Sequence, residues 1–138
     1  SPGVSLIGID YGGRRIGIAV SESGILASPH SVVANEGDIV ARIAALAAEL
    51  DAAILVVGVA RRSRSTDGER KFETFAEALR QKTCRPVILW DETLSTVEAA
   101  ERLRSAGSKR SRHLEDIDMY AAAVILQSYL DAHAGRTP

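Results

Sequence analysis

The sequence is poor in cysteine and in aromatic residues, and it contains no long apolar run. Cys84 is the only cysteine among 138 residues, which excludes an internal disulfide and a cysteine-rich metal site. No apolar run reaches the roughly 20 residues that cross a bilayer, and the N-terminus lacks the basic-then-apolar layout of a signal peptide. We therefore expect a cytoplasmic enzyme or binding module in which Cys84 is an inert thiol. An intermolecular disulfide, the alternative, would need this residue exposed near a symmetry axis.

The formal net charge of −1 argues against a uniformly basic nucleic-acid coat, but the cations are clustered. Residues 61–71 hold five cations and two acids, and residues 104–113 hold four cations and no acid. Such clusters are either solvated surface runs or phosphate-binding patches. Because aromatic residues make up only 4% of the chain, structure-selective binding fits better than sequence-selective binding. The candidate nucleic-acid ligands are Arg61, Arg62, Arg64, Lys109, Arg110 and Arg112.

The hydrophobic pattern predicts three short antiparallel strands, followed by alternating helices and strands. The strands are predicted over residues 6–11, 16–20, 25–34, 52–59 and 85–92, and the helices over residues 38–50, 66–79, 95–107 and 116–133. This order predicts one α/β domain over residues 1–138, with an RNase H-like mixed sheet and helices on both faces, although the order alone leaves other α/β folds open.

Two local features refine the strand prediction. Gly12 and Gly13 are expected to supply a hairpin turn with positive φ. Pro29 is expected to mark an edge strand or a bulge, because proline cannot donate to the hydrogen-bond ladder.

Acidic residues stand near the ends of three predicted elements, each within apolar sequence. Asp10 lies inside the first strand, where a charged side chain costs free energy unless it is paired. Asp91 and Glu92 end a predicted parallel strand, at the edge where open α/β sheets bind ligands. Only one of these two can face a given site, and the spacing does not choose between them. Asp118 lies on the apolar face of the last predicted helix. Asp116 lies on a more polar face of the same helix and is interpreted as a solvent-facing or capping acid.

These acids are candidate metal ligands. Three convergent carboxylates would raise one another's pKa values unless a cation neutralised them. Oxygen ligands favour Mg²⁺ or Mn²⁺, and two such ions about 4 Å apart can activate water and stabilise the leaving oxygen of a phosphodiester. The candidates are Asp10, one of Asp91 and Glu92, and Asp118. The alternative is structural: a helix cap, or an ion pair with a buried arginine.

Three segments resemble the signature blocks of one family. They are GIDYGGRRIGIAVSE, DETLSTVEA and IDMYAAAVILQSYL. Their order and spacing are similar to those of the YqgF/RuvX family of RNase H-like proteins, which is described as a family of Holliday junction resolvases. The resemblance covers nearly the whole chain and implies that Asp10, Glu92 and Asp118 are the catalytic and metal-binding acids.

The resemblance also singles out Arg15, as a nucleic-acid ligand, and Thr96. One departure lies at the end of the fourth predicted strand, where Gly58-Val59-Ala60 stands in place of the family's usual Gly-Leu-Pro. This departure leaves the conformation of the following loop undetermined. It does not affect the predicted metal site.

The leading hypothesis is a divalent-metal-dependent endonuclease that resolves Holliday junctions, with a homodimer favoured because a four-way junction needs two coordinated nicks. The family is also associated with maturation of the 5′ end of the small-subunit ribosomal RNA precursor, and no residue separates DNA from RNA as the substrate. The alternatives from other classes are a non-catalytic nucleic-acid adaptor and an ATP-binding sugar-kinase lobe. The second is disfavoured because such proteins close two lobes around the nucleotide.

Overall fold

The computed structural model describes residues 5–59, 66–91 and 114–133, apart from the side chains of residues 66–69 and 114–118. The strands in these ranges are β1 (Leu6–Tyr11), β2 (Arg15–Ser21), β3 (Ser28–Ala34), β4 (Ile54–Val59) and β5 (Val87–Asp91). The helices are α1 (Ile39–Leu50), α2 (Thr66–Thr83) and α3 (Leu114–Ala132). The helix predicted over residues 95–107 lies outside the described residues. Within the described ranges, no helix has the length and apolar character needed to cross a membrane.

The strands form one mixed sheet in the order β3-β2-β1-β4-β5. β1 pairs antiparallel with β2, and β2 pairs antiparallel with β3. β4 lies parallel to β1 on its other side, and β5 lies parallel to β4. This arrangement confirms the predicted RNase H-like mixed sheet, with β1 at its centre and the carboxyl ends of β1, β4 and β5 at one edge.

Side-chain alternation along the strands divides the core into two layers. Ile7 and Ile9 of β1 pack with α1 and α2 on one face of the sheet. Leu6 of β1 and Val56 of β4 pack against α3 on the other face. The helices therefore cover both faces, as predicted.

The β1–β2 hairpin differs in one respect from the prediction. Neither Gly12 nor Gly13 has positive φ, although both lie in the turn. Gly12 is needed for space instead, because a Cβ atom there would lie 2.5 Å from the carbonyl oxygen of Arg15. At the other hairpin, Pro29 lies on the edge strand β3 where the register shifts opposite Ile18 and Ala19, which confirms the predicted edge or bulge.

Helix α3 is buried on more of its surface than its sequence pattern indicates. It begins at Leu114, two residues before the predicted start, so Asp116 lies inside its first turn. The line of residues that follows Asp116 is the more polar one in sequence, yet Ala123 and Gln127 on that line are fully buried. Gln127 is accommodated there because its amide hydrogen-bonds to the backbone that leads into β3. The side chain of Asp116 lies outside the described residues, so its interpretation as a solvent-facing or capping acid stays a prediction.

The side chain of Gln127 takes the place of a backbone hydrogen-bond partner for the chain at Ala27 and Ile25. Its Oε1 accepts a hydrogen bond of 2.8 Å from the backbone N–H of Ala27. Its Nε2 donates to the carbonyl oxygen of Ile25 at 3.0 Å and to the Asp131 carboxylate at 3.0 Å. A polar residue is thereby accommodated in the core with its donors and acceptors satisfied.

Two strand glycines let α3 lie close to the sheet. A Cβ atom at Gly8 would lie 2.6 Å from Cβ of Leu126 and 3.0 Å from the carbonyl oxygen of Ala122. A Cβ atom at Gly58 would collide with the side chain of Ile125. A Cβ atom at Gly8 would meet the backbone of α3, which cannot rotate away as a side chain can. The distance between the sheet and the helix therefore depends on the absence of a side chain at Gly8.

The substitution Gly8→Ala should destabilise the fold by about 1–3 kcal/mol, because the added methyl overpacks the interface with α3. Urea denaturation measures this effect. Gly13→Ala is the matched control: nothing lies within 4 Å of a Cβ atom there, so its stability should stay within about 0.5 kcal/mol of wild type. Equal stability of the two variants would contradict the close approach of α3.

Replacing Gln127 with leucine keeps the volume but leaves the buried N–H of Ala27 without its acceptor. The expected loss of stability is about 1–3 kcal/mol. Gln81→Leu is the control, because Gln81 is exposed and its amide bonds only to Glu77, at 3.3 Å, among the contacts described. Thermal unfolding of both variants checks the prediction, and an unchanged melting temperature for Gln127→Leu would refute it.

Candidate active site

Asp10 lies at the carboxyl edge of the sheet, next to the last residue of β1, and its side chain is half-buried. Its neighbours Ile9 and Tyr11 pack on the α1 and α2 side, so alternation places Asp10 on the α3 side. Asp10 thus lies inside β1 near its carboxyl end, and its role as a metal ligand stays a prediction.

Glycine flanks Asp10 on both neighbouring strands. Asp10 pairs with Gly17 of β2 and with Gly58 of β4. Neither neighbour presents a side chain beside the carboxylate, and the side chain of Ile125 occupies the space next to Gly58. The sequence analysis did not find this pair, because strand register was needed to see that these glycines stand opposite Asp10.

Arg15 lies on the same face as Asp10, at the same edge of the sheet. Ile16 and Ile18 of β2 pack with α1 and α2, so alternation directs Arg15 to the α3 side. Asp10 pairs with Gly17, which makes Arg15 its diagonal neighbour at about 7–8 Å. Arg15 is exposed, and its position suits a cation that receives a phosphate near Asp10.

Helix α3 packs on the face of the sheet that carries Asp10. Ala122 and Leu126 lie against Gly8 of β1, and Ile125 lies against Gly58, the β4 partner of Asp10. Gln127 binds the backbone at Ala27, before β3. These contacts fix the helix over the centre of the sheet.

Asp118 lies on the same helix, four residues or about 6 Å before Ala122. Ala122 contacts Gly8, which precedes Asp10 by two residues on β1. Whether Asp118 joins Asp10 in one site stays a prediction. The side chain of Asp118 lies outside the described residues.

Asp91, the last residue of β5, belongs to the other face. Val87 and Leu89 pack with α1 and α2, whereas Ile88 and Trp90 pack with α3. Alternation therefore directs Asp91 away from the face that carries Asp10. This observation disfavours Asp91 as a ligand at the same site.

The remaining predicted site residues lie outside the described residues, so their roles stay predictions. They are Glu92, Thr96, Arg61, Arg62, Arg64, Lys109, Arg110 and Arg112. Among the side chains that are described, no three histidine, cysteine or acidic residues are grouped closely enough to hold a metal ion. Cys84 is exposed and has φ of 57°.

A mixed five-stranded sheet with an acid at the carboxyl end of its central strand, and a helix packed on the face that carries this acid, defines an α/β protein of the RNase H-like class. The chain belongs to the RuvX family, described as Holliday junction resolvase, which it matches over residues 4–132. It is accordingly a nuclease of that family.

Two relatives illustrate how far the similarity extends. A Mycobacterium tuberculosis protein is 44% identical over 131 residues, which cover 91% of this chain and 77% of the relative. A Lachnospira eligens protein is 38% identical over 135 residues, which cover 92% of this chain and 96% of the relative. Both carry the name "Putative pre-16S rRNA nuclease".

Among solved structures, the fold is similar to that of Thermus thermophilus RuvC in complex with a Holliday junction substrate. The TM-score is 0.68 at 19% sequence identity, and the match covers 95% of this chain and 97% of the other. At this level of identity the similarity shows the fold, which agrees with the sheet order and helix placement described above.

The opposite orientations of Asp10 and Asp91 predict which acid of the Asp91-Glu92 pair acts in nucleic-acid cleavage. Asp91→Asn should retain most of the activity, whereas Glu92→Gln should lose it. Single-turnover cleavage of the same substrate by both variants measures the difference. Loss of activity in Asp91→Asn, together with retention in Glu92→Gln, would reverse the assignment.

Proposed function

We propose that this protein is a divalent-metal-dependent endonuclease that hydrolyses phosphodiester bonds in branched or structured nucleic acid, with four-way DNA junctions as the leading substrate. The observation that carries the proposal is the half-buried carboxylate of Asp10. It lies at the carboxyl edge of the central strand, between two glycines and on the face covered by α3. Carboxylate oxygens in this position are the donors that a hard divalent cation prefers.

The residues present fit a hard cation. Asp10 offers carboxylate oxygens beside neighbours that have no side chains, and Asp118 belongs to the helix that packs on the same face of the sheet. Asp10, Glu92 and Asp118 would hold the ion, and their oxygen donors favour Mg²⁺ or Mn²⁺. When bound, such ions activate a water molecule and stabilise the leaving oxygen of the phosphodiester.

The chain's own cations would position the substrate. Arg15, diagonal to Asp10 on the same face, would bind a phosphate next to the reacting one. The predicted ligands of the two basic clusters would extend this contact along the nucleic-acid backbone. Because these contacts neutralise phosphates without reading bases, affinity should fall steeply as the salt concentration rises.

The precursor of the small-subunit ribosomal RNA is the second candidate substrate. The relatives that are 38% and 44% identical to this chain across more than 90% of its length carry a name that refers to pre-16S rRNA. The family description instead names Holliday junctions. Resolution of a four-way junction would require two coordinated cuts and therefore two active sites. A homodimer is thus part of the proposal for junction DNA.

Asp10→Asn and Asp118→Asn should each lower metal-dependent cleavage by about 100-fold or more, the scale on which loss of one charge-stabilising group is felt. Both variants should keep most of their salt-sensitive binding. The assay is a time course with a four-way DNA junction and with a ribosomal RNA precursor, in Mg²⁺ and in Mn²⁺. Preferential cleavage of one nucleic acid identifies the substrate.

Asp51→Asn is the matched control for these variants. Asp51 ends α1 in the left-handed conformation that asparagine tolerates, and its side chain is almost fully exposed. The Asp51→Asn variant should cleave the nucleic acid at the wild-type rate. Full activity in Asp10→Asn, or binding without cleavage by the wild type under every metal condition, would reject the nuclease mechanism and favour an adaptor.

A further inference from the structure

A groove of about 460 Å³ lies between α1 and α2, on the face of the sheet opposite to Asp10. Its volume is in the range of small-ligand sites, about 300–1,000 Å³. Its lining is mainly apolar, with two cations and the hydroxyls of Tyr11 and Thr74. The lining residues are Tyr11, Ile39, Val40, Arg70, Lys71, Thr74, Phe75 and Ala78.

The groove starts at the active edge of the sheet. Tyr11 directly follows Asp10, so their Cα atoms are about 3.8 Å apart although the side chains point to opposite faces. Ile39 and Val40 form the first turn of α1, which follows the end of β3 beside Arg15. A nucleic-acid strand that is bound at Asp10 could therefore continue around the sheet edge into the groove.

The aromatic part of the groove is held in place. The Tyr11 ring stacks on Phe75, with centroids 4.1 Å apart and an interplanar angle of 24°. It also meets Phe72 edge-on at 5.9 Å. Phe75 is itself buried, so the tyrosine is anchored by the core while remaining only half-buried. A fixed aromatic surface is what stacks an unpaired base.

The charge of the groove suits a phosphate. Arg70 and Lys71 are exposed on α2, and no carboxylate lines the groove among the residues that the structure describes. Two described acids on these helices have other positions: Asp38 caps α1 by accepting from the N–H of Ala41, and Glu73 lies on α2 outside the lining. An anionic group therefore complements the charge of the groove better than a neutral apolar ligand does.

We infer that this groove binds an unpaired nucleotide of the substrate strand, with its base against Tyr11 and the apolar wall and its phosphate at Arg70 and Lys71. The inference rests on the proposed nuclease function, because the strand must be held at Asp10 for the groove to receive its continuation. It adds a preference for substrates that present unpaired nucleotides near the cleavage point.

The test compares two DNA probes of equal duplex length, one blunt and one with a four-nucleotide single-stranded overhang that contains 2-aminopurine. Binding is measured on Asp10→Asn, so that cleavage does not interfere. The overhang should bind about tenfold more tightly, the scale of stacking one base, and the 2-aminopurine fluorescence should be quenched on binding.

Lys71→Ala should lower the affinity for the overhang probe about threefold to tenfold and reduce the slope of log affinity against log salt by about 0.7–0.9, the value for one phosphate contact. Lys82→Ala is the matched control, because Lys82 is an exposed lysine in the last turn of the same helix and does not line the groove. It should bind like the parent protein.

Thr74→Glu places a carboxylate between the two cations at an exposed helix position, where folding tolerates it. It should remove the preference for the overhang and leave the affinity for the blunt duplex within about twofold. Equal affinity of the parent for both probes, or equal effects of Lys71→Ala and Lys82→Ala, would overturn the inference.

The two proposals fail in different ways. Metal-dependent cleavage by the wild type without any preference for the overhang would overturn the groove alone. A preference for the overhang that disappears in Thr74→Glu, without cleavage by the wild type, would support the groove and overturn the proposed nuclease function.

Discussion

The close approach of α3 to the two central strands is the constraint on which the rest of the site depends. Gly8 leaves room for the helix backbone at Ala122, and Gly58 leaves room for Ile125. A side chain at Gly8 would meet the helix backbone and lift the helix from the sheet, whereas one at Gly58 would displace the side chain of Ile125. Gly58 is also the β4 partner of Asp10. The packing of the helix and the surroundings of the proposed catalytic acid therefore share a glycine.

The central strand serves both faces of the sheet at its carboxyl end. Asp10 points to the α3 side, while the next residue, Tyr11, packs with α1 and α2 and forms part of the groove. The period-two alternation of a strand separates the two proposed functions by one residue. In this proposal, a nucleic-acid strand that passes the edge meets the face that carries Asp10 first and the aromatic groove second.

Much of the fold could be predicted from sequence period alone, because β1, β2, α1 and α2 each bury a face that their residues mark out. Long-range contacts were not predictable in this way. Gln127 looks like a surface residue until its partner Ala27, 100 positions earlier in the chain, is known. Within the candidate site, Asp10 was identified from the apolar residues that surround it in the sequence. The choice against Asp91 required the observed packing of β5, and the flanking glycines required strand register.

Metal binding tests the central claim most directly, since it depends on acids from separate elements meeting in one place. Calorimetric titration of the purified protein with Mn²⁺, without nucleic acid, should show binding that is lost or weakened at least tenfold in Asp10→Asn and in Asp118→Asn, the scale expected when a carboxylate ligand is removed. Mn²⁺ affinity unchanged by both substitutions would contradict a shared metal site at this edge of the sheet.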